Sequence, residues 1–82
     1  MNTKAPVIRI KVECYDGYRG AETPRVIWLK SRQIEIKQVI DRWLDPDFRY
    51  FKLLGDDEGI YIIRHDMNTW DWELTFYREA PK

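Results

Sequence analysis

A chain of 82 residues has room for one hydrophobic core and no second domain. Its 14 Lys and Arg cancel its 14 Asp and Glu, so no long-range field draws it onto duplex DNA or an anionic membrane, and only local patches remain available. Four Trp, five Tyr and three Phe supply the burial that a short chain otherwise lacks, which predicts an aromatic-rich core.

Cys14 is the single cysteine, so an internal disulfide is excluded and the fold stands on packing, as suits a reducing cytoplasm. Residues 1–6 read as a tail without the apolar run of a signal peptide. Nowhere does the chain approach the ~20 apolar residues that cross a bilayer. The expectation is one cytoplasmic domain over 1–82, with no membrane partner.

Residues 7–14 alternate strictly, with Ile8, Ile10, Val12 and Cys14 on one face and Arg9, Lys11 and Glu13 on the other, which is a strand. Residues 15–24 carry two glycines and end at Pro24, a wide loop. Arg25 to Lys30 is a second strand, with Val26 and Trp28 opposing Ile27 and Leu29, so both of its sides are expected to be partly covered. After a short polar connection, Ile34 and Ile36 share one phase while Val39 and Trp43 take the other. A bulge near Lys37 or Gln38 resets that phase. The i, i+3, i+4, i+7 spacing of Ile36, Val39, Ile40 and Trp43 also fits a short helix over 36–44; Pro46 ends either version.

Arg49 to Leu54 and Ile60 to His65 flank the polar run 55–59 and form a hairpin. Asp66 to Thr69 makes the next turn. The final strand then places Trp70, Trp72, Leu74 and Phe76 on one face. The resulting class is all-β: a small antiparallel barrel or strongly bent sheet of about six strands, with an SH3-like barrel as one form it can take.

The chemistry-bearing residues are few. His65 is the only histidine, and a histidine beside a turn more often bonds the local backbone than catalyses. Cys14, His65 and Asp66 make the one conceivable nucleophile, base and orienting carboxylate, although Cys14 is in phase with the apolar face. Asp56, Asp57 and Glu58 lack the ligand spacing of a calcium loop, and one Cys with one His cannot make a structural zinc site. Gly17 and Gly20 precede a strand where a phosphate loop precedes a helix. No cofactor and no metal are expected.

What remains is a set of aromatic and Arg side chains: Tyr15, Tyr18, Arg19 and Arg25, together with Arg42, Trp43, Arg49, Tyr50 and Phe51. On a small barrel such residues stack single-stranded bases and neutralise phosphates. The bland alternative is that they are core aromatics with one polar edge at the surface.

The segments Lys11-Val12-Glu13-Cys14-Tyr15, Gly17-Tyr18, Val39-Ile40-Asp41-Arg42-Trp43, Tyr50-Phe51-Lys52, Asp57, Gly59, Tyr61-Ile62, Arg64-His65-Asp66 and Trp72-Glu73-Leu74 resemble those of a group of short bacterial proteins of unknown function. The resemblance spans most of the chain and implies no activity, cofactor or partner. The residues themselves place Asp41-Arg42-Trp43 and Arg64-His65-Asp66 at strand ends, where Arg42 or Arg64 is expected to pair with Asp66.

The functional expectation is a non-enzymatic binding module. Its partner is a protein or a single-stranded nucleic acid, and strand edges also leave a homo-oligomer open. The rival is a small enzyme or enzyme subunit using Cys14 and His65.

Overall fold

The computed structural model describes residues 8–14 and 23–80. Within them the chain forms β1 (Ile8–Cys14), β2 (Pro24–Leu29), β3 (Arg32–Leu44), β4 (Phe48–Gly55), β5 (Ile60–Asp66) and β6 (Trp72–Arg78). Each strand pairs antiparallel with the next and β6 returns to β1, so the sheet closes into a barrel in sequence order. Closure satisfies edges that an open sheet would expose.

The core follows from alternation. Arg49, Phe51 and Leu53 of β4 and Tyr61, Ile63 and His65 of β5 point inward, while the residues between them are partly exposed. Ile27 of β2 and Ile34 of β3 are cross-strand partners and are both buried. Val26 is buried as well, so both faces of β2 are covered, as its sequence predicts.

Residues 36–44 are strand, and the helix alternative is corrected. In β3 the register against β4 shifts between Ile36 and Gln38 and again between Val39 and Asp41. The first shift sits at the expected bulge. The second, at Ile40, reverses the phase once more, so Trp43 lies beside Tyr50 on the outer face, 40% exposed. A helix would have buried that side chain with Val39.

A third irregularity breaks the alternation expected of the last strand. Ile62 pairs with Phe76 but Ile63 pairs with Leu74, which leaves Thr75 as the extra residue, its hydroxyl donating to the Ile62 carbonyl at 3.1 Å. Trp72 and Leu74 therefore keep to the interior while Phe76 turns outward, 46% exposed. Trp70 precedes the strand altogether and sits at φ 71°, a conformation that bulky residues rarely adopt.

Candidate functional site

Two polar clusters lie near opposite ends of β5, one inside the barrel and one at its rim. Near its C-terminal end, Arg49 and His65 are Cα partners on β4 and β5, and Arg49 Nη2 donates to His65 Nδ1 at 2.8 Å. A guanidinium has only donors, so Nδ1 is the acceptor and the imidazole is unprotonated there. The ring lies flat on Trp72, with centroids 4.0 Å apart and planes 3° from parallel, and meets Trp70 edge-on at 4.4 Å. His65 is fully buried by these contacts.

Near the start of β5, the Tyr61 hydroxyl donates to Asp57 Oδ2 at 2.6 Å, and Arg32 Nη2 reaches the same oxygen at 2.6 Å. Gly59 N–H donates to the other carboxylate oxygen at 2.9 Å. Partial burial works against the Asp57 charge, but the Tyr61 hydroxyl, the Gly59 amide and Arg32 together outweigh it and hold the carboxyl below its ordinary value. Burial, then the adjacent carboxylate, pushes the Tyr61 phenol far up, so it stays protonated. Tyr77 stacks on Tyr61 at 4.9 Å and closes this end.

Neither cluster gathers a catalytic set with Cys14. Cys14 is half-buried in phase with Ile10 and Val12, and its β2 partner is Pro24. The β1 residue that meets Trp72, the neighbour of His65, is Ile10. Four residues of extended chain separate Ile10 from Cys14, a distance of about 13 Å. Asp66 is occupied in its own turn, its Oδ1 accepting the amides of Asn68 and Thr69 at 2.8 and 3.1 Å. Those amides hold its carboxyl below the usual range. Among the described residues no group of three or more His, Cys, Asp and Glu is arranged to hold a metal ion.

Of the expected Arg–Asp66 pairing, Arg64 contributes to the field that lowers the Asp66 carboxyl, while its Nε donates to Glu73 Oε1 at 2.7 Å, because Arg64 and Glu73 are direct partners across β5 and β6. Arg42 is opposite Phe51, its guanidinium carbon 5.9 Å from the ring centroid.

The candidate binding residues divide. Tyr15, Tyr18 and Arg19 lie outside the described residues. Arg25 is exposed and pairs with Glu13 at 3.5 Å. Arg49 is not a surface residue: in phase with Phe51 and Leu53, it points into the barrel against His65. Trp43 and Tyr50 do form an outer platform, stacked 5.2 Å apart with planes 4° from parallel.

Register extends that platform into a row. Trp43 is opposite Tyr50, Tyr50 opposite Arg64, Arg64 opposite Glu73, and Glu73 opposite Arg9. Arg64 also covers the ring of Phe48 at 4.0 Å. Arg9 and Lys11 share the outward face of β1, and Lys11 is opposite Trp28, with its ammonium 5.2 Å from the indole centroid. Aromatic and cationic groups thus share the outside of the barrel, with the Glu73 carboxylate set between Arg64 and Arg9. Arg9 and Lys11 were legible as the polar face of β1, but which face of β2 carries Trp28 outward, and its adjacency to Lys11, depends on the β1–β2 register.

No family model matches the chain, and neither a curated protein nor a solved structure matches it. Among the described residues no helix is long and apolar enough to cross a membrane.

Proposed function

We propose that this barrel is a non-enzymatic binding module of the cytoplasm, and that the ligand its outer face suits best is a single-stranded nucleic acid. The observation that carries the reading is the row from Trp43 to Arg9, in which two stacked rings on β3 and β4 are followed by the guanidinium groups of Arg64 on β5 and Arg9 on β1, with the Glu73 carboxylate on β6 between them and paired to Arg64. Adjacent strands lie ~4.8 Å apart, so the four steps from β3 to β1 span roughly 19 Å, enough to follow several nucleotides. Bases of any sequence offer a face to stack on, and the cations meet the backbone between them.

The polar groups at the two barrel ends support the same class from the other side. His65 engages Arg49 and Trp72 at one end, and Tyr61 engages Asp57 and Tyr77 at the other, as groups that hold a barrel end together do. A catalytic reading needs a reactive thiolate at Cys14. Rapid alkylation of native Cys14 at neutral pH would favour that rival.

The test is fluorescence anisotropy of a short, mixed-sequence labelled oligonucleotide, single-stranded and duplex, at low and high salt. Binding that prefers the single strand and weakens with salt is expected. Equal affinity for the duplex, or no binding of either, overturns the nucleic-acid reading and leaves a protein partner.

A further inference from the structure

Between β1 and β2 the outer surface is concave. Among the described residues, Arg9, Ile10, Lys11, Trp28 and Lys30 line an open groove of about 560 Å³, three of them cationic and none acidic. Of the three, Arg9 is drawn toward Asp71 at 3.6 Å, a loose and exposed contact. Lys11 rests on the Trp28 ring. The chain as a whole is neutral, so this local excess stands out against its surroundings.

A second feature sits in the same groove. Lys30 occupies the two-residue connection between β2 and β3 at φ 59°, the left-handed region where a hairpin of this kind ordinarily carries Gly, Asn or Asp. A long side chain at such a position is strained, and strain of this kind gathers at ligand-contacting sites. The strained residue is also one of the three cations of the groove.

We propose that this groove is the element that fixes the phosphate backbone of a single-stranded nucleic acid, with Arg9, Lys11 and Lys30 on successive phosphates and Trp28 as the platform for one base; the inference rests on the nucleic-acid reading above. Arg9 belongs to both the groove and the row to Trp43, so a strand seated here continues across β6, β5 and β4. Along that row Arg64 is already paired with Glu73, and distant charges are screened over a Debye length of about 8 to 10 Å in ordinary buffers, so the salt dependence comes chiefly from the three groove cations. Three phosphate contacts give a salt slope of about −2 for a single strand.

The experiment measures oligonucleotide affinity at salt from about 50 mM to about 200 mM for three proteins: the unaltered chain, Lys11→Glu with Lys30→Glu, and Lys30→Gly. These positions lie on the outer face and in a turn, so the variants are expected to fold, which thermal melting and amide dispersion verify. The double variant should bind at least roughly tenfold more weakly at the lowest salt, with most of its salt slope gone. Lys30→Gly should melt higher because the strain is relieved, yet bind several-fold more weakly because one phosphate contact is lost. A residue that serves only the turn would gain stability at no cost in affinity.

Unchanged affinity in both variants, with the unaltered protein still binding, overturns the groove and leaves the row from Trp43 to Arg9 as the ligand surface. Absence of binding by the unaltered protein overturns the nucleic-acid reading and the groove with it. An acidic peptide that displaces the oligonucleotide on an equal-charge basis overturns the assignment of a nucleic-acid occupant.

Discussion

The two ends of β5 solve the same problem with different chemistry. At the His65 end the polar groups are buried against Trp70, Trp72 and Phe51, and the imidazole accepts from Arg49 as a neutral ring. At the Tyr61 end the central group is an ionised carboxylate, Asp57, which three donors hold near the surface. The first end depends on packing and the exclusion of water. The second depends on charge, so acid should weaken it selectively.

The comparison breaks first, and by the largest amount, at His65. His65→Ala removes a fully buried ring from between two Trp side chains and takes the acceptor from Arg49, which should cost about 3 to 5 kcal/mol in urea unfolding. If the variant loses less than about 1 kcal/mol, the end is wetter than its burial implies.

Next in size are the substitutions around Asp57. Tyr61→Phe deletes a hydrogen bond to a charged group and should cost about 1.5 to 3 kcal/mol, again by urea unfolding. Gly55→Ala should cost about 1 to 3 kcal/mol, because a Cβ there would lie 2.7 Å from Ile34 Cγ2 and 2.9 Å from the Tyr61 ring.

The finest discrimination between the two ends is made by pH. The Asp57 carboxyl titrates lower in the folded chain than in the unfolded one. Its contribution is therefore present above the unfolded value of about 3.9 and is lost as pH falls through the folded value. The stability difference between the unaltered protein and Asp57→Asn should accordingly shrink between neutral pH and about pH 3. A constant difference would mean that shape and not charge holds this end.

Much of the barrel was legible because alternation survives over most strands. Arg49, Phe51 and Leu53 share one parity, as do Tyr61, Ile63 and His65, and the glycine-bounded run 55–59 marks the hairpin between them. The parity of Arg49 already pointed it inward. Its charge drew it onto the proposed surface, although a buried Arg is tolerated where an acceptor such as His65 meets it.

The phase errors came from bulges. Ile40 and Thr75 each add one residue, and every side chain beyond them changes face. Nothing in a β-branched residue by itself announces that it will be skipped. The groove was illegible for another reason: Lys11 meets Trp28 only because β1 and β2 pair in one register, and a long connection between two strands does not specify register. The backbone of Lys30 likewise has no signature in its side chain.

On the function proposed, the outer face carries the activity while the polar clusters at the two barrel ends hold the fold. The indole N–H resonances of the four Trp residues test it in one titration with a single-stranded oligonucleotide. Trp28 and Trp43 should shift and return when salt is added, while Trp72, flat against His65 inside the barrel, should stay in place. Movement of Trp72 with Trp28 and Trp43 unmoved would contradict the account and turn attention to the His65 end.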